Sequence, residues 1–282
     1  MKLLVDSGAT KADWIALDEQ GNRLFTTQTL GLSPEVIGRE EAIERLEARF
    51  DIYNNRNDVT SLYFYGAGCG TDRMKVFMKN LFQEFFPKAE ITVKEDTYAA
   101  AYATNPTEEK AIICILGTGS NCSYFDGEEL HQKVQSLGYI AMDDCSGNRF
   151  GRDLLRAYYF NKMPQHLVRE FAQEYDLDPD SIKHNLYKEP NPNAYLATFA
   201  KFLIQHKDEP FIKDLIVDAM QTFVDNYITQ YDNAHEVPVH FVGSIAFYLK
   251  AELAEVLAKN NLKLGNVLRR PIDGLIEYHR IN

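Results

Sequence analysis

The sequence predicts an α/β protein made of two similar domains, each a mixed β-sheet flanked by helices. Two glycine-centred turns, Asp6–Lys11 and Leu116–Asn121, each lie between two short apolar runs. The predicted order of elements around each turn is β-β-β-α-β-α-β, and an order found twice indicates a repeated fold unit. A cleft between two such domains is the expected place for a ligand.

Apolar runs and turn residues define the elements of the first domain, which spans residues 1–108. The predicted elements are strands Lys2–Val5, Trp14–Leu17 and Arg23–Thr27, helix Gly38–Phe50, strand Leu62–Tyr65, helix Asp72–Phe86 and strand Ile91–Lys94. The first three strands form a predicted antiparallel meander, and the first glycine turn is the tip of its first hairpin.

The second domain, residues 109–282, repeats this plan around a helical insertion. Its predicted elements are strands Ala111–Ile115, Asn121–Phe125, Leu130–Val134 and Val239–Val242, helix Ala246–Lys259 and strand Val267–Leu268. Between about Asn148 and Asp232, aromatic and apolar residues recur at helical spacing, which indicates core packing of an inserted helical layer. We expect that the last helix can pack back on the first domain.

Composition and charge favour a small-molecule partner. A formal charge of −11 with scattered basic residues argues against nucleic acid. No apolar run approaches the roughly 18 residues that span a bilayer, and Lys2 and Asp6 break any secretory signal, so we expect a soluble, cytoplasmic protein. The four cysteines contain no C-x-x-C pair, which favours free buried thiols over metal or iron-sulfur ligands.

The first glycine turn has the composition of a phosphate-binding loop. Gly8 lets backbone N–H groups approach a phosphate, Thr10 offers a hydroxyl donor, and Lys11 supplies positive charge. Asp6 follows a buried strand, where an ionised carboxylate needs a cation, and Mg²⁺ shared with phosphate oxygens is the natural one. A structural hairpin would have the same composition, but the matching turn Gly117–Ser120 favours the phosphate interpretation.

Four segments together resemble one superfamily. D-S-G-A-T-K-A-D-W, E-D-T-Y-A-A-A-Y, I-L-G-T-G-S-N-C-S and F-V-G-S-I-A are similar to motifs of the acetate and sugar kinases, heat-shock chaperone ATPases and actin. Within it, the chain is most similar to the branch that holds N-acetylglucosamine kinase and the BadF/BadG/BcrA/BcrD ATPases. The resemblance covers nearly the whole chain and implies two ribonuclease H-like (actin-like ATPase) domains that use ATP and Mg²⁺.

The resemblance also implies roles for residues of these motifs. The first turn would be phosphate motif one, with Asp6 linked to the metal. The second turn would be phosphate motif two, and the segment Gly243–Ala246 would pack on adenosine, with a serine in place of the usual second glycine. The implied nucleotide-binding residues are Gly8, Thr10, Lys11, Gly117, Thr118, Gly119, Ser120, Gly243, Ser244 and Ala246.

Asp96 has two interpretations. It comes between a predicted strand and the helical run Thr97–Ala101, where aspartate often caps a helix. The resemblance favours catalysis instead, because the general base of the family is an aspartate at a strand end before an alanine-rich helix. A carboxylate that accepts the proton of an attacking hydroxyl suits phosphoryl transfer to a sugar.

The resemblance places the sugar near a second acidic segment, Met142–Gly151, which matches a G-D-E-G-S-G pattern apart from Met142 and Cys145. A solvated turn that caps a helix from about Arg152 to Tyr159 is the alternative. The loop at Ser33 carries an asparagine in relatives that bind N-acetylhexosamines, so the identity of the sugar stays open. The implied substrate-binding residues are Ser33, Asn121, Gly138, Tyr139, Asp143 and Asp144.

These observations predict an ATP-dependent kinase that phosphorylates an amino sugar, such as N-acetylglucosamine. The resemblance leaves two alternatives. One is an ATPase of the dehydratase-activator type that drives a partner protein, and the other is a non-catalytic sugar sensor. A homodimer is expected from family habit alone, and no nucleic-acid or membrane partner is expected.

Overall fold

The computed structural model describes residues 1–8 and 11–281 of the 282-residue chain. It divides into two compact units, one formed by Met1–Glu108 with Arg270–Asn282 and the other by Glu109–Arg269. Within the described residues, each unit is built on one five-stranded mixed sheet flanked by helices. The predicted fold class is therefore confirmed.

The sheet of the first unit combines an antiparallel meander with two parallel strands. Its strands are β1 (Lys2–Ser7), β2 (Lys11–Leu17), β3 (Arg23–Leu30), β4 (Ser61–Gly66) and β5 (Glu90–Glu95). They lie in the order β3-β2-β1-β4-β5, with β1, β4 and β5 parallel. The carboxyl ends of these three strands therefore share one edge, which is where open α/β sheets bind ligands.

Among the described residues, five helices belong to the first unit: α1 (Arg39–Glu47), α2 (Phe50–Asn55), α3 (Asp72–Phe85), α4 (Asp96–Thr104) and α13 (Pro271–Ile281). The prediction of one helix over Gly38–Phe50 was wrong. Arg49 takes an extended conformation (φ −107°, ψ 106°), and its carbonyl accepts the N–H groups of Ile52 and Tyr53, which begins a second helix.

The two faces of this sheet are covered differently. On one face, the Trp14 ring lies 6.5 Å from the rings of Phe82 and Phe86, and its indole N–H donates to the Thr29 hydroxyl (3.1 Å). This hydrogen bond allows the indole to be fully buried. On the other face, α4 and α13 pack together against the sheet. α13 thus holds α4, whose first residue is Asp96.

His279 is the buried polar contact of α13 with this sheet. Its Nε2 lies 2.9 Å from the Tyr65 hydroxyl, and its ring lies 4.2 Å from that of Tyr63. Burial, followed by the positive charge of Lys2, lowers the pKa of His279 to about 4. The histidine is therefore neutral in the folded protein at pH values where an unfolded histidine already binds a proton.

We expect the His279→Gln variant to lose less stability in acid than the wild type. The unfolded histidine has a pKa of about 6.5, so lowering the pH from there to about 4 favours the unfolded state by up to about 3 kcal/mol. Urea denaturation across this range measures the effect as the difference between the two proteins. Replacing the exposed His235 by glutamine is the control. If the wild type and His279→Gln lost stability in parallel as the pH falls, the lowered pKa of His279 would be contradicted.

The sheet of the second unit repeats the first. Its strands are β6 (Ala111–Leu116), β7 (Ser120–Phe125), β8 (Leu130–His131), β9 (Pro238–Val242) and β10 (Lys263–Leu268), in the order β10-β9-β6-β7-β8. β8 ends before the predicted Val134, because the N–H of Lys133 donates to the Tyr231 hydroxyl (3.2 Å) instead of to β7. β10 begins earlier than predicted, at Lys263.

Helices fill the rest of the second unit. They are α5 (Gly147–Tyr159), α6 (Gln165–Glu174), α7 (Pro179–Tyr187), α8 (Pro192–Thr198), α9 (Ala200–Gln205), α10 (Pro210–Asn226), α11 (Ser244–Tyr248) and α12 (Lys250–Lys259). Phe199, Phe202 and Leu203 are fully buried, so the predicted packing of the helical layer is confirmed. The predicted helix Ala246–Lys259 is two helices, because the buried Leu249 leaves helical geometry (φ −107°, ψ 27°).

All four cysteines are free and buried, as predicted. Cys114 and Cys122 are directly opposite each other on β6 and β7, with their sulfur atoms 3.6 Å apart. Burial raises the pKa of the Cys114 and Cys145 thiols well above their usual value, so these groups stay protonated and unreactive.

In the part of the chain that the structure describes, every helix is too short or too polar to cross a bilayer.

Candidate active site

Two half-buried carboxylates lie where the parallel strands of the first sheet end. Asp6 is near the carboxyl end of β1, and Asp96 directly follows β5. Burial, followed by repulsion from Asp96 and Asp13, raises the pKa of Asp6 to about 7. Burial and then the charge of Glu95 raise the pKa of Asp96 to about 6. The edge therefore concentrates negative charge that a bound cation would stabilise.

Helix capping does not account for Asp96. The N-cap position of α4 is Glu95, which makes no side-chain capping bond, and Asp96 is the first residue inside the helix. The backbone N–H of Thr97 lowers the pKa of Asp96, but burial outweighs it. A carboxylate with a pKa near neutrality can take up a proton during a reaction at physiological pH.

The first glycine turn is only partly described. Gly8 donates its N–H to the carbonyl of Lys11 (3.0 Å), which closes the hairpin. The Lys11 ammonium lies 3.0 Å from the Asp13 carboxylate and is more than half exposed. The predicted phosphate contact of Thr10 lies outside the described residues.

Ser33, a predicted sugar-binding residue, is deeply buried. It is 3% exposed, and its hydroxyl packs so closely against Gly68 that a β-carbon there would lie 2.7 Å from the Ser33 oxygen. The Ser33 carbonyl accepts the N–H groups of Val36 and Ile37. These contacts are structural, and the sugar-binding role of Ser33 stays a prediction.

In the second unit, the start of α5 holds the second glycine turn. Gly147 and Asn148 donate their backbone N–H groups to the carbonyls of Gly117 (2.8 Å) and Thr118 (3.0 Å). The Ser146 hydroxyl accepts the N–H of Arg149, which starts α5 at Gly147 instead of the predicted Arg152. These hydrogen bonds fix the turn, and they do not use the N–H groups of Thr118 and Gly119.

Ser120 carries a buried polar atom in this turn. Its hydroxyl has no hydrogen-bond partner among the described residues, although the residue is only 8% exposed. A buried hydroxyl without a partner is costly. A phosphate oxygen is one group that would satisfy it.

The two predicted acidic residues have different surroundings. The Asp143 carboxylate accepts a bond from the Asn148 amide (3.0 Å) and packs against Gly119, where a β-carbon would lie 2.7 Å from it. Asp144 instead pairs with Arg149 (2.7 Å) and accepts the Asn226 amide (3.2 Å). Asp143 thus supports the glycine turn, while Asp144 joins α5 to α10.

The remaining predicted sugar contacts lie on one loop and the strand beside it. Gly138 takes a left-handed conformation (φ +77°), and its carbonyl accepts the N–H of Met142 (2.9 Å). Tyr139 is half-buried against the core of the unit. The Asn121 side chain on β7 accepts the Gln132 amide (3.1 Å). Their roles toward a sugar stay predictions.

A cavity of about 480 Å³ joins the second glycine turn to the predicted adenosine segment. Gly117, Thr118 and Gly147 line one part of it, and Ser244, Ile245 and Tyr248 line another. Ala246 lies just below this lining and is fully buried. The remaining wall comes from α8 and α9 and consists of Ala197, Thr198, Ala200, Lys201, Ile204 and Gln205.

Gly243 brings these two parts together. It has φ +123°, which side chains rarely adopt, and a β-carbon there would lie 2.2 Å from the Leu116 carbonyl oxygen. Its N–H donates to Leu268 (3.0 Å), and its carbonyl accepts Phe247 in the first turn of α11. Only glycine lets α11 begin in contact with the phosphate turn.

The sequence did not predict the α8 and α9 wall. Lys201 and Ile204 flank the buried core residues Phe202 and Leu203, so the aromatic stripe that marked α9 as core also implied an opposite face. Helical periodicity identifies the core face but not what the other face contacts. Lys201 pairs with Glu174 (3.1 Å) beside the cavity.

Comparisons with known proteins fit this geometry. No protein-family model matches the sequence. A protein from Porphyromonas gingivalis, provisionally named an N-acetylglucosamine kinase, has a TM-score of 0.92 and 36% identity, and the match covers 100% of this chain and 99% of that one. Another provisional N-acetylglucosamine kinase, from Chromobacterium violaceum, has a TM-score of 0.70 and 18% identity over 98% of both chains.

A ROK family glucokinase from Streptomyces griseus, solved with glucose and AMPPNP, shares the fold. Its TM-score is 0.59 at 14% identity, over 99% of this chain and 98% of that one. The shared fold, together with the 36% identity to the P. gingivalis protein over the whole chain, defines the class of sugar kinases with the actin-like fold. The chain belongs to the N-acetylglucosamine kinase-like family represented by the P. gingivalis protein.

Proposed function

We propose that the protein is an ATP-dependent kinase that transfers the γ-phosphoryl group to a hydroxyl of an amino sugar, with N-acetylglucosamine as the first candidate. The observation that carries this proposal is the cavity that joins the second glycine turn to α11. Membership of a family of sugar kinases supports the reaction class, and the name of the P. gingivalis protein suggests the acceptor.

The second unit is assigned to the nucleotide. Ile245 of α11 and Ile204 of α9 offer apolar surface to a purine. The aromatic ring of Tyr248, also on α11, adds a stacking surface. The N–H groups of Thr118 and Gly119 and the Ser120 hydroxyl would donate to phosphate oxygens. Apolar walls for the base and backbone donors for the phosphates are the features that such a ligand needs.

The first unit is assigned to acceptor activation. A sugar hydroxyl is a weak nucleophile at neutral pH, and Asp96 would accept its proton as the new P–O bond forms. Burial favours this role because it raises the pKa of Asp96 to about 6. Lys11 would add positive charge at the transferred phosphoryl group.

The carboxylates at this edge fit a magnesium ion. Asp6 is half-buried beside two other carboxylates, Asp96 and Asp13, so its charged form gains from a cation. No group of three or more ligating side chains occurs among the described residues, and Mg²⁺ commonly uses one or two carboxylates together with water and phosphate. Asp6 would hold the ion, which would supply charge neutralisation at the phosphates.

Finer assignments rest on the resemblance alone. We propose that the chain lies in the branch shared with the BadF/BadG/BcrA/BcrD ATPases, that it acts in the cytoplasm, and that it forms a homodimer. The dehydratase-activator alternative needs cysteines that reach an iron-sulfur cluster, and all four cysteines of this chain are buried.

Acceptor-dependent release of ADP tests the proposal. Purified protein with Mg·ATP is assayed with glucose, glucosamine, N-acetylglucosamine, N-acetylmannosamine and N-acetylmuramic acid. We expect ADP release to require a sugar and to be fastest with an N-acetylhexosamine. ADP release that is equally fast without any sugar would contradict the kinase proposal and favour the partner-driving ATPase.

A further inference from the structure

We propose that Asp13 is a positioning residue that holds the Lys11 ammonium in place for the donor phosphate. This inference rests on the proposed function, in which Lys11 binds phosphate. The motif that contains Asp13 gives roles to Asp6 and Lys11 but none to Asp13 itself.

The strand register places Asp13 in a row of polar side chains. It lies directly opposite Asp6 on β1 and directly opposite Gln28 on β3. Residues opposite each other on neighbouring strands project from the same face, with β-carbons about 5 Å apart. Asp13 therefore stands beside the predicted metal-linked carboxylate, in the middle strand of the row.

The two carboxylate oxygens of Asp13 accept hydrogen bonds from two different donors. One oxygen accepts the Gln28 amide (2.5 Å), and the other accepts the Lys11 ammonium (3.0 Å). The Asp13 side chain is 11% exposed, whereas that of Lys11 is 56% exposed. The buried acid is thus fixed by the sheet, and it restrains a lysine that would otherwise sample many rotamers in solvent.

Arg270 supplies a second positive charge near Asp13. The Arg270 guanidinium makes a two-pronged contact with Asp273 (3.0 and 2.7 Å) and, with Asp13 and Gln28, lines a cavity of about 220 Å³. Its charge also acts on Asp6 and Asp13. When the Lys11 ammonium turns to a phosphate, Asp13 keeps a positive neighbour, which limits the cost of giving up part of its ion pair.

A purely structural ion pair predicts something different. A pair whose lysine is more than half exposed contributes little to stability. Replacing Asp13 would then leave the nucleotide affinity unchanged, or would change it by the same factor whether or not Lys11 is present. The positioning role instead requires that the effect of Asp13 depend on Lys11.

A double-mutant cycle separates these cases. The Kd of Mg·AMPPNP is measured by calorimetry for wild type, Lys11→Gln, Asp13→Asn and the double variant. We expect Asp13→Asn to weaken binding about fivefold or more with Lys11 present, but less than about twofold in the Lys11→Gln background. An equal factor in both backgrounds would overturn the inference, while a wild type that binds no AMPPNP would contradict the proposed function as well.

Two further variants guard against loss of folding. Gln28→Ala keeps the Asp13 charge but removes its anchor, so it should also weaken binding only when Lys11 is present. Asp72→Asn removes a matched, exposed ion pair with Lys75 on α3 and should leave the Kd unchanged. Thermal unfolding of every variant confirms that it is folded, and a Gln28→Ala effect that is independent of Lys11 would also overturn the inference.

Discussion

Replacing Asp96 by asparagine is expected to lower kcat about 10²–10⁴-fold, the range lost when a general base is removed. Asparagine keeps the shape of the side chain and can still accept the Thr97 N–H, but it cannot take a proton from the acceptor. Nucleotide affinity should change little, because Asp96 is assigned to the acceptor hydroxyl and not to the phosphates or the base of the nucleotide. Steady-state kinetics and AMPPNP calorimetry on the same preparation measure both quantities.

The control for this variant is Asp18→Asn. Asp18 is an exposed carboxylate in the hairpin after β2, where it accepts N–H groups of Gln20 and Asn22. We expect this variant to keep the wild-type kcat. If Asp96→Asn also kept it, the general base would have to be a different residue, and the role given to the buried edge of the first sheet would be wrong.

Replacing Gly243 by alanine is expected to cost about 2–6 kcal/mol of stability, because an unfavourable backbone conformation and overpacking each cost about 1–3 kcal/mol. The added β-carbon would meet the Leu116 carbonyl oxygen at 2.2 Å. The oxygen belongs to the backbone and the β-carbon is bonded directly to it, so neither atom can rotate away. Separation of α11 from the glycine turn would also open the nucleotide cavity. Chemical denaturation and AMPPNP calorimetry measure the two effects.

Gly38→Ala is the matched control. Gly38 precedes α1 in an ordinary extended conformation, and a β-carbon there would have no atom within 4 Å. We expect this change to cost no more than about 1 kcal/mol, which is the usual cost of a poorer N-cap. Equal losses in both variants would mean that the close approach at Gly243 has no special importance for the fold or the cavity.

The sequence was sufficient for the fold because its signals were local and duplicated. Each glycine turn lies between strands of the same meander, so the two sheets followed from short-range patterns. Family membership was confirmed by the 36% identity to the P. gingivalis protein. The last helix was expected to pack back on the first domain, but the residue at which the chain returns, Arg270, depends on contacts between distant segments, and periodicity does not reveal those contacts.

The candidate site was predicted only in part, for a similar reason. Motif residues marked the glycine turns and Asp96, but the wall formed by α8 and α9 carries no motif. Asp13 did leave a signal. Asp6 and Asp13 are paired across the hairpin that holds the first glycine turn, so counting outward from the turn would have placed the two carboxylates side by side. The roles of individual site residues remain predictions that the variants above test.

The central claim is that the γ-phosphoryl group moves to a sugar. The direct measurement uses ATP labelled with ³²P at the γ-position, Mg²⁺ and N-acetylglucosamine, and follows the label by chromatography and mass spectrometry. We expect label in a phosphorylated sugar with the wild type, and label that appears about 10²–10⁴-fold more slowly with Asp96→Asn. Label that appears only as inorganic phosphate, with every sugar tested and equally in Asp96→Asn, would contradict the central claim.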